Sequence, residues 1–179
     1  MSEEFLHATF AGGCFWCIEA AFSQFKAIGS IKPGYCGGDT TNPTYNEVCS
    51  GKTGHAEAVQ LSYNPSSFSY ENLLEIFFSI HNPTQLNHQG PDVGSQYRSA
   101  IFYHTLEQKL SAESYIEDLT QTQIYDVPIV TEITEIPVFY EAEEYHHDYY
   151  SKNPSHPYCV FNTLPKIKKA RSIFPDKLS

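Results

Sequence analysis

The stretch FLHATFAGGCFWCIEAAFSQF, residues 5–25, decides how the chain is read. Residues 5–10 alternate apolar and polar side chains, as a short strand does. Gly12-Gly13 punctuates that pattern. From Cys14 to Phe25 the spacing changes: Phe15, Ile18, Phe22 and Phe25 recur at helical intervals. A strand that turns through two glycines into a helix is half of an α/β unit, and the rest of the chain extends it.

Residues 56–63 alternate as a strand, residues 69–80 open with Ser69-Tyr70-Glu71 as a helix, and residues 99–103 read as a strand. Residues 106–119 read as a helix with Leu106, Leu110, Tyr115, Ile116 and Leu119 as its apolar positions. Residues 128–136 alternate Ile129, Thr131 and Ile133 against Val130, Glu132 and Thr134 as a strand. Residues 141–150 read as a short helix, residues 151–157 as an irregular arm, and a terminal helix follows Asn162. Two segments, 30–52 and 82–96, are rich in Gly, Pro, Asn and Thr and read as long loops, which in a compact domain tend to carry function. The expected architecture is an α/β (α+β) two-layer sandwich: a mixed central sheet with flanking helices, long irregular loops and an irregular C-terminal arm. The length of 179 residues suits one catalytic domain over 1–179, with 151–179 as arm and terminal helix.

The formal net charge is −10, which disfavours nucleic acid and anionic membrane surfaces as partners. The cationic cluster Lys166, Lys168, Lys169 and Arg171 reads as a solvated helix face. The start MSEEFLHATF has neither a cationic n-region nor an apolar h-region, so no signal peptide is expected, and no run is long enough to span a membrane. A cytoplasmic location and a monomer are the expectation. Five cysteines, Cys14, Cys17, Cys36, Cys49 and Cys159, are an odd count that cannot pair fully within the chain. In a reducing compartment such a set points to redox chemistry or metal rather than to disulfide staples. The 13 tyrosines against one tryptophan leave phenols to spare for a site.

Cys14 opens a helix directly after a strand and two glycines. The glycines let backbone and substrate approach closely. The positive end of the helix favours a thiolate there. Phe15 and Trp16 set an aromatic wall beside the sulfur, suited to a substrate with a small apolar group at the reacting atom. Cys17 lies one turn on, about 5 Å away by helix geometry, so a Cys14–Cys17 disulfide is sterically possible. Cys36 and Cys49 read as structural thiols.

Four motifs in order extend this reading: ATFAGGCFWC (8–17), GYCGGDTTNPTYNEVCSGKTGHAEAV (34–59), NHQGPDVGSQYRSAIFY (87–103) and EAEEYHHDYYSKNP (141–154). Together they resemble the peptide methionine sulfoxide reductases of the A type over nearly the whole chain, from about His7 to Cys159. Enzymes of this kind return methionine sulfoxide to methionine. The resemblance implies that Cys14 is the nucleophile. It attacks the sulfoxide sulfur, the oxygen leaves as water, and methionine and a Cys14 sulfenic acid result. Glu57 matches the carboxyl that protonates or hydrogen-bonds the sulfoxide oxygen, and Tyr45 and Tyr97 match the phenols that bind it. Asp92 matches a substrate-contacting carboxylate, and Phe15 and Trp16 match the wall for the ε-methyl group. Cys17 and Cys159 are the two candidate resolving thiols. The implied substrate is the S epimer of methionine sulfoxide, free or in proteins. The implied reductant is thioredoxin or a similar dithiol, and no bound cofactor or metal is needed. The arm carrying Cys159 has one residue more than the usual Lys-Asn-Pro-x-x-Tyr-Cys pattern and lacks its glycine-rich continuation.

The chemistry agrees with these roles. A sulfoxide oxygen leaves only when protonated, and a carboxyl in a partly apolar pocket holds its proton near neutral pH. Two phenols stabilise charge developing on that oxygen as an oxyanion hole does. Three other readings are weaker. A thioredoxin-like disulfide oxidoreductase would use Cys14-x-x-Cys17 but gives the Tyr-rich loops no role. A zinc module needs two tight cysteine pairs, and Cys36 and Cys49 are too far apart in sequence for the second. Glu143-x-x-His146 resembles half of a di-metal motif whose other half is missing, so both residues read as solvent-facing or packing.

Overall fold

The computed structural model describes residues 4–179. Strand β1 (Leu6–Ala11) enters the middle of the sheet and leads through Gly12-Gly13 into helix α1 (Phe15–Phe22). Strand β2 (Ile28–Cys36), helix α2 (Tyr45–Cys49) and strand β3 (Ala56–Tyr63) follow, then helix α3 (Tyr70–Ser79). Strands β4 (His88–Gln89) and β5 (Asp92–Val93) form a small separate hairpin. Strand β6 (Ala100–Tyr103), helix α4 (Leu106–Gln121), strand β7 (Glu132–Glu135) and strand β8 (Tyr140–Glu141) come next. Helix α5 (Tyr149–Lys152) precedes a π-helical turn, Cys159–Thr163, that runs into helix α6 (Leu164–Ile173).

The main sheet has the order β7-β6-β1-β3-β2-β8. Only β7 runs parallel to its neighbour; the other pairings are antiparallel, so the sheet is mixed as expected. Alternation along the strands sorts side chains between the two faces. Ala8 and Phe10 of β1 and Val59 and Leu61 of β3 pack with Ile18 and Phe22 of α1 and with Leu73, Leu74 and Phe77 of α3. The opposite face holds a smaller cluster of Ala11, Cys36, Ala56, Ala58, Ala100 and Phe102. Glu57 shares its parity with Val59 and Leu61, so it points under the helices, and its register partner on β2 is Tyr35.

Local sequence explains several boundaries. Ser69 accepts the Asn72 N–H and Asn72 returns the bond to the Ser69 N–H, which starts α3. Thr44 and Glu47 do the same for α2. The expected loop over residues 30–52 is not one: its first part is the nine-residue strand β2 and its end is α2. Gly29, Pro33 and Gly34 disguise the strand. Gly34 is there because the Phe139 ring and the Tyr140 carbonyl press on it, so a Cβ would collide with both. The expected strand over 128–136 shortens to Glu132–Glu135. The expected helix over 141–150 breaks into β8, a 3-10 turn at Glu144–His146, and α5. Tyr140 and Glu141 are taken up by β2, and Asp148 adopts a left-handed conformation at φ 55°, which interrupts a helix. The arm is irregular over a shorter span than expected, with helical backbone already at Pro157. In α4 the buried side chains are Gln108 and Ala112, while Leu106 and Leu110 face solvent at 71% and 64% exposure. Among the described residues, no helix is long and apolar enough to cross a membrane.

Candidate active site

Cys14 is the N-cap of α1, held where β1 ends. Gly13 makes that placement possible: its φ is 90°, a region few side-chain-bearing residues adopt, and its N–H donates to the Tyr97 carbonyl at 3.2 Å. The turn therefore brings Cys14 against the loop that carries Tyr97. All five cysteines are free thiols.

Glu57 reaches the same point from β3. Its Oε1 accepts the Phe15 N–H at 3.1 Å, one of the N–H groups a helix start leaves without an intrahelical partner. Its Oε2 is buried and has no partner. Burial pushes the carboxyl up to about 8; the charges of Asp92 and Cys17 add to that rise and the Phe15 N–H opposes it. At neutral pH the group is a carboxylic acid, with a hydrogen-bonding oxygen left over. Burial also pushes the Cys14 thiol well up, helped by its hydrogen bond to Cys17 and by the Glu57 charge. The two groups thus both hold protons at neutral pH.

Tyr45 begins α2, and Tyr97 ends the turn after the β4–β5 hairpin. Both phenols are raised, mainly by burial, and both feel the Glu57 charge. The Tyr45 N–H donates to Glu143 Oε2 at 3.0 Å, and the Tyr35 hydroxyl donates to Glu143 Oε1 at 2.9 Å. Phe15 is fully buried and stacks toward Tyr45, with 6.5 Å between ring centroids. Trp16 is half-buried. Its indole lies on Tyr149, with centroids 3.7 Å apart and planes 6° apart, and meets Tyr158 edge-on. The Trp16 Nε1–H donates to His146 Nδ1 at 3.0 Å.

On the other side of Cys14 lies Cys17, fully buried. The Thr163 hydroxyl lies 3.2 Å from its sulfur, and the Tyr158 hydroxyl lies 3.9 Å away. Tyr158 also donates to Asp92 Oδ2 at 2.5 Å, which ties the hairpin to the C-terminal segment. The Cys17 thiol is lowered to about 6. The hydrogen bond from Cys14 is the largest cause, burial opposes it, and Lys166, Thr163 and Tyr158 add to the lowering. Cys159 is fully buried in the π-helical turn that ends at Thr163, and burial pushes its thiol up, with Thr163 opposing and the Cys17 charge adding to the rise.

The structure thus brings Cys14, Cys17, Glu57, Tyr45, Tyr97, Phe15, Trp16, Asp92 and Cys159 around one point. Cys36 faces away, in the small cluster on the opposite face. Cys49 is exposed at the end of α2, the helix that Tyr45 begins. Several site neighbours escape the sequence reading. His146 takes the packing role of its two readings: it is buried among Phe15, Trp16, Tyr45 and Tyr145, which places it beside the site. Burial lowers it to about 4, so the ring is neutral, and because Nδ1 accepts from Trp16 its proton sits on the partnerless Nε2. The Glu143-x-x-His146 spacing signals this pair, but for the aromatic wall rather than for a metal. Glu19, buried on α1, accepts the Asp148 N–H at 2.8 Å and anchors the segment that carries Tyr149. Lys166 is half-buried rather than part of a freely solvated face.

A protonated carboxyl and a thiol on one side, with further thiols stacked behind, define a thiol-dependent oxidoreductase. The family profile described as Peptide methionine sulfoxide reductase matches residues 6–178. A protein of Natronomonas pharaonis named peptide methionine sulfoxide reductase MsrA is 54% identical over 171 residues, covering 96% of each chain. A namesake from Thermus thermophilus is 49% identical over 178 residues, covering 99% of each. The crystal structure of reduced Mxr1 from Saccharomyces cerevisiae superimposes with a TM-score of 0.82 at 36% identity, covering 89% of this chain and 91% of that one. A structure of Mxr1 in complex with Trx2 matches at a TM-score of 0.58 and 26% identity, covering 83% of this chain and 89% of that one. The chain belongs to the peptide methionine sulfoxide reductase family, and its activity is the reduction of methionine sulfoxide to methionine.

Proposed function

We propose that this chain reduces the S epimer of methionine sulfoxide, free or in proteins, with Cys14 as nucleophile and Glu57 as acid. The observation that carries the assignment is the buried Glu57 carboxyl, protonated and with Oε2 unpartnered beside the Cys14 turn. The sulfoxide oxygen takes the place next to Oε2, with the Tyr45 and Tyr97 hydroxyls as further donors. The methyl group lies against Trp16, whose plane Tyr149 and His146 hold, and that contact reads the handedness of the sulfur.

The departing oxygen needs two protons, and the Cys14 thiol and the Glu57 carboxyl hold them. As they pass to the oxygen, the Cys14 sulfur bonds to the sulfoxide sulfur and the oxygen leaves as water. A positively charged sulfur–sulfur adduct remains, balanced by the Glu57 carboxylate. Water then adds to the Cys14 sulfur, methionine leaves, and the released proton returns to Glu57. The product is a Cys14 sulfenic acid: the substrate sulfur has gained two electrons and the Cys14 sulfur has lost two.

Cys17 is the neighbour placed to resolve it. The Cys17 thiolate displaces the oxygen of the sulfenic acid, which takes a proton and leaves as water, and a Cys14–Cys17 disulfide forms. Cys159, buried in the turn that ends at Thr163, attacks Cys17 next, which frees the Cys14 thiolate; its burial in that turn supports this order. Thioredoxin, the kind of partner seen on the related Mxr1, then reduces the last disulfide. Residues 1–179 act as one catalytic domain with its C-terminal segment from about residue 151, working in the cytoplasm. The test offers purified protein separate S and R epimers of a methionine sulfoxide substrate with thioredoxin as reductant. Turnover of S alone, abolished by Cys14→Ser, is expected; turnover of R, or activity retained by Cys14→Ser, overturns the proposal.

A further inference from the structure

The resolving thiol has an environment of its own, built almost entirely by the C-terminal segment. Thr163 and Lys166 are one turn apart on the helical stretch that packs on α1, so they present to the same side. The Thr163 hydroxyl is 3.2 Å from the Cys17 sulfur, buried with it. The Lys166 ammonium lies 3.8 Å from the point that a Cβ on Gly13 would occupy, at the turn that carries Cys14. Lys166 thus comes off the solvated face to which its neighbours Lys168 and Lys169 belong.

We propose that the first turn of α6 is the resolving machinery of this enzyme: Thr163 as hydrogen-bond donor and Lys166 as countercharge keep Cys17 a thiolate poised for the Cys14 sulfenic acid. The inference rests on the reading that Cys17 resolves first. A thiolate attacks a sulfenic sulfur where a thiol does not, so this cradle sets the rate of the second step and leaves the first alone. The balance is simple. Cys17 sulfur bonds to Cys14 sulfur, the Cys14 S–O bond breaks, and the oxygen takes up a proton and leaves as water.

Every group facing Cys17 fits that role. From α1 the Cys14 hydroxyl-bearing sulfur is the electrophile. From β3 Glu57 returns to its neutral form at the end of the first step. From the hairpin, Asp92 is occupied by the Tyr158 hydroxyl, which shields its charge from Cys17. From the C-terminal segment, Thr163 offers a hydroxyl and Lys166 the cation, while the Tyr158 oxygen lies 3.9 Å from the Cys17 sulfur with its proton given to Asp92. Cys159 is a neutral thiol there, pushed up by burial. The lowering of Cys17 in the reduced protein has the Cys14 hydrogen bond as its largest cause and is opposed by burial, and Lys166 and Thr163 add to it.

The experiment separates the two steps in a single turnover of the full chain with methionine S-sulfoxide, without reductant. Methionine released reports the first step, which already consumes the Cys14 thiol, and loss of a second titratable thiol after acid quench reports the second step. Lys166→Met and Thr163→Val are each expected to leave methionine release within about twofold of wild type. Loss of that second thiol should slow about tenfold at pH 7 and recover as the pH rises, because a thiol without the cradle ionises only well above neutral pH. Lys166→Arg should restore it. A direct titration of thiolate absorbance near 240 nm in a Cys14→Ser background should show the Cys17 midpoint rising by about one pH unit or more in Lys166→Met. An unmoved midpoint overturns the inference even if a variant folds poorly enough to lose turnover. In Cys17→Ser the sulfenic acid should accumulate. If it is resolved there at the wild-type rate, the underlying reading of Cys17 fails; if it accumulates while Lys166→Met and Thr163→Val keep the wild-type pH profile, the cradle alone fails.

Discussion

The two sides of Cys14 are built from different parts of the chain and tuned in opposite directions. On the oxygen side, Glu57 comes from a central strand, and Tyr45 and Tyr97 come from the two Gly- and Pro-marked connections. Burial is the leading cause of the rise in all three, so this side keeps its protons at neutral pH. On the sulfur side, the Cys17 thiol is lowered to about 6, first by the hydrogen bond from Cys14 and then by Lys166 and the hydroxyls of the C-terminal segment, against the effect of burial. The difference follows from the chemistry. Breaking the S–O bond consumes protons, whereas resolving the sulfenic acid needs a thiolate. Both demands are met about one helical turn apart because Glu57 is shut under α1 by the sheet while Cys17 looks toward the chain's last helix.

This contrast can be broken from its oxygen side first. Glu57→Gln keeps the shape and the bond from the Phe15 N–H but has no proton to give. We expect methionine formation to fall by a factor on the order of 10² or more, measured in a single turnover, with Cys17 resolution of the small amount formed unaffected. Tyr97→Phe and Tyr45→Phe each remove one donor and leave the other, so a loss of about tenfold is expected in each and more than the product of the two in the double variant. An additive double variant would mean that the phenols do not share one oxygen.

Stability sharpens the same point. The folded state holds the Glu57 proton up to about pH 8, against a usual value near 4.5. Its contribution is therefore fully present below about pH 4.5 and is lost as pH rises to about 8. Glu57→Gln escapes that loss. The difference in Tm, variant minus wild type, should be small at pH 4.5 and grow through pH 8; a difference that stays flat with pH would mean that Glu57 is charged in the fold. The smallest effect belongs to a thiol outside the contrast. Cys36→Ala, on the far face of the sheet, should leave the rate of every redox step unchanged.

Much of this was legible before the structure, for reasons that differ by residue. Strand β3 and helix α3 read correctly because strict alternation and a Ser69–Asn72 cap are local signals. Strand β2 did not, because Gly34 answers to Phe139 and Tyr140 and the Pro33 carbonyl to the Ala142 N–H, residues more than a hundred positions away. The stripe assigned to α4 failed at Leu106 and Leu110 because the helix buries Gln108, whose amide donates to the His7 carbonyl at 2.7 Å. In the site, Cys14 and its Glu57, Tyr45 and Tyr97 neighbours sit in motifs and were found through them. Thr163 and Lys166 carry no such signal: they become site neighbours only when the chain's end folds back onto α1, whereas His146 and Tyr158 stand in motifs whose spacing does not show what their side chains touch. Lys166 was hidden in a run of cations that composition assigns to solvent.

The pH dependence of methionine formation in a single turnover of Cys17→Ser tests the central claim, that the Glu57 carboxyl and the Cys14 thiol hold the two protons for the departing oxygen. With resolution removed, the rate reports the first step alone. The account predicts a plateau through neutral pH that falls above about pH 8 as Glu57 ionises, and a low rate without that fall in the Cys17→Ser, Glu57→Gln double variant. A rate that climbs through pH 8, or the same fall in the double variant, would contradict it.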